Sequence, residues 1–310
     1  MAKTTLVFMG TPEFAVPSLQ ALAGSFHILA VVTQPDRRAG RGRKMQSPAV
    51  KKAALALEMP VVQPEDLRQA DFAAWLAGLQ PDYLVTCAYG KILPLALLAL
   101  PRLGALNVHA SLLPYYRGSA PIHRAIMNGD QESGITIMHM DQGMDTGDMI
   151  LQQALPITAA DTTGSLHHKL ADLGAKLVVE AIIAINNGQA QRRIQDNQLA
   201  TYAPPLTRED EQIDWCQSSQ VIHNQVRGMN PWPGAYTELN DQRLKIWEGR
   251  PVAKHGNPCG AVLAVDQEGL LVATGDGAYL ITKLQPPGKK TMLAADFLRG
   301  HHLALGTILS

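Results

Sequence analysis

The sequence predicts an α/β protein in two parts: a Rossmann-like open sheet, mostly parallel with helices on both faces, then a small β-barrel. Three observations carry this reading. Apolar runs at residues 5–9, 28–33, 83–88 and 105–109 are separated by helix-length segments, the pattern of parallel strands covered on both sides. Leu166, Leu170, Leu173, Leu177, Val178, Ala181 and Ile182 recur at helical spacing and predict one helix over 163–185. After residue 206 the texture changes to short apolar runs at 244–247, 260–265, 270–274 and 279–284, divided by Gly, Asn, Asp and Pro, as in a small barrel.

The elements follow in order. After the first run, Gly10-Thr11-Pro12 reads as a turn, with Thr11 placed to cap a helix and Pro12 at its first position. Residues 135–140 and 149–157 fit further strands, and a helix is expected to start near Ala120. Asn186-Asn187-Gly188 ends the long helix. A polar stretch reaching Pro204-Pro205 reads as a linker, which divides the chain into domains 1–189 and 207–310 joined by 190–206. A further helical piece is expected over 221–229.

Composition narrows the function classes. The 310 residues carry 27 Lys+Arg and 27 Asp+Glu, a net charge of zero. This excludes a globally basic nucleic-acid coat and an acidic disordered chain, but not a local basic patch. Residues 206–310 are also balanced, with ten cations against eleven acids. Cys87, Cys216 and Cys259 form no CxxC pair, so no metal site or redox motif is expected, and the sparse cysteines suit a reducing compartment. The apolar run at 6–9 is too short for a signal peptide, and the longest apolar run, within 91–102, contains Pro94; a cytoplasmic protein without a membrane span is expected.

Four segments carry chemistry. Residues 34–44 hold Arg37, Arg38, Arg41, Arg43 and Lys44 against the single acid Asp36. Such runs are commonly solvated surface, yet cations this dense repel one another unless an anion is near, and a phosphate backbone is the obvious partner. Asn107 and His109 lie two apart near the end of an apolar strand, so they share a face, at the strand end where open α/β sheets bind ligands. An amide donor beside an imidazole can hold a developing oxyanion and move a proton. Ser111, Leu112, Leu113 and Pro114 follow as a turn-rich loop. The loop 140–148 holds Asp141, Asp145 and Asp148 but lacks the terminal Glu and flanking helices of a calcium loop. A carboxylate there that reaches His109 would orient the imidazole.

Asn107-x-His109 with Ser111-Leu112-Leu113-Pro114, followed by Gly143-Met144-Asp145-Thr146-Gly147-Asp148, resembles the folate-dependent formyltransferases. The likeness extends over nearly the whole chain, through Gly10-Thr11-Pro12-Glu13-Phe14-Ala15, Thr33-Gln34-Pro35-Asp36, Ala88-Tyr89-Gly90, Asn230-Pro231-Trp232-Pro233-Gly234-Ala235, the pair Leu244-Lys245 and Leu284-Gln285-Pro286-Pro287-Gly288-Lys289-Lys290. The resemblance is to the branch that formylates the methionine carried by initiator tRNA. It implies 10-formyltetrahydrofolate as co-substrate, Asn107, His109 and Asp145 as catalytic residues, and Ser111, Leu112, Leu113 and Pro114 as the folate-binding segment. It also implies that the basic loop Arg37, Arg38, Arg41, Arg43 and Lys44 enters the tRNA acceptor stem and that the C-terminal domain is an OB-like barrel flanking the tRNA. A monomer is expected. Formyl transfer to a small amine (a purine precursor or an amino sugar), a deformylating hydrolase and a non-catalytic tRNA-binding module are the alternatives. The adjacent pairs His167-His168 and His301-His302 make poor chelates, Trp232 reads as a packing residue, and the scattered methionines read as core filler.

Overall fold

The structure, a computed structural model, describes residues 3–39 and 44–310. Its residues group into two units: one of residues 1–118, 133–155 and 167–202, the other of 119–132, 156–166 and 203–310.

The first unit is built on a seven-stranded sheet. Its strands are β1 (Thr5–Gly10), β2 (His27–Val32), β3 (Val61–Val62), β4 (Tyr83–Cys87), β5 (Gly104–His109), β6 (Glu132–His139) and β7 (Met149–Pro156), in the order β7-β6-β5-β4-β1-β2-β3. The pairs β2–β3, β1–β2, β1–β4 and β4–β5 are parallel, and β5–β6 is antiparallel. Leu6, Val7, Phe8 and Met9 of β1 are fully buried, because helices cover both faces of a parallel sheet. One cluster gathers Val7, Met9, Val32, Leu76, Leu84 and Ala105 from strands and helix alike. The helix Thr163–Asn186 packs Gly174 beside Val108 of β5, closely enough that a Cβ there would meet the Val108 side chain. This helix and the strands match the expected positions to within a few residues. β3 was not expected, since two residues are too short to show a period.

Thr11 does not cap a helix. Pro12 precedes a short 3-10 turn, Glu13–Ala15, and the α-helix Val16–Ser25 follows. The Thr11 hydroxyl instead donates to the Tyr89 carbonyl at 2.8 Å, tying the end of β1 to the segment after β4. Part of the basic segment forms strands. Arg37–Ala39 and Lys44–Gln46 pair antiparallel, so backbone hydrogen bonding organises arms whose side chains show no apolar pattern.

The second unit contains β8 (Ala235–Leu239), β9 (Gln242–Val252), β10 (Val262–Val265), β11 (Leu270–Ala273), β12 (Ala278–Gln285) and β13 (Met292–Leu293). They form an antiparallel sheet in the order β8-β9-β12-β11-β10, with β13 on β12. Register shifts in β9 on either side of Glu248 mark bulges, which bend and twist a strand. Ile222 and Val226 of the helix Ser219–Gly228 join Ile246, Val272, Tyr279 and Ile281 in the core. Arg124 grips Asp210 through both terminal guanidinium nitrogens, at 2.6 and 2.7 Å.

Candidate active site

Asn107 and His109 stand at the carboxyl end of β5, and Val108 between them packs the other way. The two polar side chains meet Asp145, thirty-eight residues after Asn107. Asn107 Nδ2 is 3.4 Å from Asp145 Oδ1, and His109 Nδ1 is 3.6 Å from Asp145 Oδ2. The Gly118 amide donates to Asp145 Oδ2 at 2.9 Å. Thr86, opposite Asn107 in register, donates its hydroxyl to Asn107 Oδ1 at 2.8 Å. This leaves the Asn107 amide to present its N–H groups on the carboxylate side. His109 is 5% exposed, and its Nε2 lies 3.0 Å from the Tyr116 carbonyl. A carbonyl only accepts, so Nε2 carries a proton and Nδ1 is the nitrogen that faces Asp145.

Asp145 sits at φ 55, in the left-handed region. Asp tolerates this conformation better than most residues, and it persists where the surroundings hold it. Gln195 supplies that hold: its Nε2 donates to the carbonyls of Asp145 and Gly147, both at 2.8 Å. Gly147 is required at its position, since a Cβ there would run into the His139 carbonyl. Desolvation, and after it the charge of Arg192, lowers the pKa of His139 and favours its neutral form. Met144, beside Asp145, is 58% exposed, so it is not core filler.

In the segment after β5, Ser111, Leu113 and Pro114 are buried and Leu112 is half-buried. Thr136 of β6 accepts from the Leu113 amide at 3.1 Å and donates to the Ser111 carbonyl at 2.7 Å. Gln152 of β7 donates to the Leu113 carbonyl at 2.9 Å. The path of this segment is therefore fixed by the two strands beyond β5.

At the root of the basic arm, Lys51 lies 2.8 Å from Asp36, and this hydrogen-bonded ammonium holds the Asp36 carboxyl below its ordinary pKa. Arg37 donates to Gln34 Oε1 at 3.1 Å, and Gln34 donates to the Tyr89 carbonyl at 3.2 Å. Burial pushes the Tyr89 phenol up to about 12. Arg37 and Arg38 are exposed. Arg41, Arg43 and the side chain of Lys44 lie outside the described residues.

Sequence reasoning missed Gln195, Arg117 and Thr86. Gln195 is in the polar stretch expected to be a linker and yet is 4% exposed. Nothing in a run of polar residues signals which one turns inward. Thr86 sits inside an apolar strand beside the known site strand, and its polarity there was the available signal.

Residues 3–182 match the formyl transferase family model, and residues 205–302 match the model of the formyl transferase C-terminal domain. The chain belongs to the formyl transferase family. It is 51% identical over 306 residues to a methionyl-tRNA formyltransferase of Moorella thermoacetica, covering 98% of each chain. It is 47% identical over 310 residues to that of Bacillus subtilis, covering 99% of this chain and 98% of the relative. Among solved structures, a sugar 3N-formyl transferase, WlaRD, superposes with a TM-score of 0.66 at 22% identity, covering 94% of this chain and 100% of its own. HypX from Aquifex aeolicus in complex with tetrahydrofolic acid gives 0.63 at 18% identity, covering 96% of this formyl transferase and 47% of HypX. Those two likenesses are of fold.

Proposed function

We propose that this formyl transferase moves the formyl group of 10-formyltetrahydrofolate to the α-amino group of methionyl-tRNA, with Asn107, His109 and Asp145 at the reacting centre. The observation that carries the reading is identity near one half to methionyl-tRNA formyltransferases across 98% of the chain. The co-substrate supplies an activated formyl group. The carboxyl end of a parallel sheet is where such folds hold their ligands, and the donor set there suits a carbonyl that gains negative charge.

The accepting amine has an ordinary pKa of about 7.7–8.0, so a useful fraction is neutral at physiological pH. It adds to the formyl carbon, the bond from that carbon to the folate nitrogen breaks, and the amine's proton ends on the leaving nitrogen. Asn107, with its amide oriented by Thr86, donates a hydrogen bond to the formyl oxygen as charge develops. His109 is the group that passes the proton. Asp145 faces its Nδ1 and stabilises the imidazolium formed on the way. Losing one such donor typically costs about 3–4 kcal/mol of transition-state stabilisation.

The other roles follow the same reading. Ser111, Leu112, Leu113 and Pro114 form the wall of the folate site, their path set by Thr136 and Gln152. Arg37, Arg38, Arg41, Arg43 and Lys44 contact the phosphates of the acceptor stem of initiator tRNA, and the C-terminal domain orients that stem. Residues 1–189 carry the first task and residues 207–310 the second, joined through 190–206. On this reading the protein works in the cytoplasm as a monomer. Among the described residues no helix is long and apolar enough to cross a membrane. The test is incubation with 10-formyltetrahydrofolate and either charged initiator tRNA or a small amine. Formylated methionyl-tRNA is expected; transfer to the small amine alone would reverse the reading.

A further inference from the structure

We propose that Gln195, itself held by Arg117, is a positioning residue that sets the carboxylate of Asp145 against His109. The proposal rests on the reading of Asp145 as part of the reacting centre.

Gln195 and Arg117 are 4% and 2% exposed. Arg117 donates to Gln195 Oε1 from Nε at 3.0 Å and from a terminal nitrogen at 2.8 Å. That nitrogen also donates to Asn197 Oδ1 at 2.8 Å. Two donors on the oxygen side fix the amide's orientation, so both N–H groups of Gln195 must point the other way. They meet the carbonyls of Asp145 and Gly147, which bracket Thr146. One amide thus uses all of its hydrogen-bonding capacity to fix the left-handed residue and the glycine that follow Met144.

Two further contacts make this a device for the carboxylate rather than for the loop in general. The residue after Arg117 is Gly118, whose amide holds Asp145 Oδ2. The Arg117 side chain therefore grips the Asp145 backbone through Gln195, while its neighbouring peptide grips the Asp145 side chain. The segment carrying Gln195 is in turn registered on β7: Met149 and Arg193 exchange backbone hydrogen bonds at 2.8 and 2.9 Å. The position of Asp145 Oδ2, 3.6 Å from His109 Nδ1, is thereby set from both sides. Small displacements at such a distance cost rate without costing ground-state binding.

Gln195→Glu separates positioning from stability. It preserves the volume and the oxygen that Arg117 needs, and it replaces both donors with an acceptor that repels the Asp145 and Gly147 carbonyls. The experiment measures kcat, KM for both substrates and Tm for Gln195→Glu in the native protein and in Asp145→Asn. In the native background kcat, measured well below the variant's own Tm, should fall at least about tenfold, with KM for the folate and for methionyl-tRNA within about twofold. In the Asp145→Asn background the same change should cost less than about twofold, because the group it positions is already lost. If Gln195→Glu does not fold, Arg117→Lys, which keeps a cation beside Gln195 Oε1 but loses the two-nitrogen grip that orients its amide, should give the same pattern. A rate within twofold of native for the single variant, or an equal loss in both backgrounds, overturns the proposal. A native rate for Asp145→Asn alone would instead overturn the assignment of the reacting centre, and this proposal with it.

Discussion

The two sheets treat their strands differently. Every residue of β4 and all but the first of β1 are buried, whereas β9 buries Leu244 and Ile246 and leaves Arg243, Glu248 and Arg250 exposed. A strand covered on both faces has no wet side, so its polar groups collect where it ends. In β5 these are Asn107 and His109. A strand with one wet face can display charges along its length. There Arg243 lies 4.5 Å from the centre of the Tyr236 ring and Lys245 lies 5.8 Å from that of Trp247. The first arrangement concentrates a few groups at one point, as chemistry requires. The second spreads charged groups of both signs along the strand.

The largest expected effect that sharpens this contrast is on stability. Leu106→Ala, at a fully buried position of β5, should cost about 2–5 kcal/mol. Lys283→Ala, which breaks an exposed pair with Glu248, should cost less than about 1 kcal/mol. Denaturant unfolding of the two variants checks the difference, and equal losses would dissolve it. Next comes the loop that brings the carboxylate to the strand end. Gly147→Ala forces its backbone away from the His139 carbonyl. A displacement of that kind should lower kcat by about 100-fold, measured in single turnover on folded protein; an unchanged rate would show that the loop's path is immaterial.

Neutralising Arg41, Arg43 and Lys44 together should flatten the salt dependence of tRNA binding. Each lost phosphate contact removes roughly 0.7–0.9 from the log–log slope. Filter binding across salt concentrations reads this directly, and a constant slope would return the arm to plain solvated surface. The smallest effect is in acid. Hydrogen bonds from Arg124 hold Asp210 below its ordinary pKa. The folded-state value is thus below the unfolded one, so the pair's stabilisation is complete above the unfolded pKa of about 3.9 and is lost as pH falls through the folded value. Tm of the native protein should fall more steeply below pH 4 than that of Asp210→Asn; parallel curves would show that the pair does not link to folding.

Much of this was legible in the sequence, and the reason is physical. The strands β1, β2, β4 and β5 are legible because burial on both faces leaves an unbroken apolar run, and the helix Thr163–Asn186 because its 24 residues give several turns of period. The pairing of Asn107 with His109 is legible because a strand alternates. What brings Asp145 to them is the antiparallel β6, and that pairing is not encoded in any local pattern. Thr11 misled because a threonine before a proline resembles a cap, and its hydroxyl found a carbonyl of a distant segment instead. Gln195 was invisible because its burial depends on Arg117, seventy-eight residues away. The strand β8 was missed because Ala235–Leu239 carries Thr237 and Glu238 among its five residues.

In the proposed function Asn107, His109 and Asp145 act on the reaction and not on the binding of its substrates. Its most direct test is the single-turnover rate of formyl transfer to methionyl-tRNA by His109→Ala and Asp145→Ala at saturating 10-formyltetrahydrofolate, with folate affinity measured on the same samples by fluorescence. The rate should fall well beyond tenfold while the affinity stays near native, since charge stabilisation of this kind operates mainly in the transition state. A rate within about tenfold of native for either variant, a difference near 1.4 kcal/mol, or a loss of folate binding equal to the loss of rate, would contradict it.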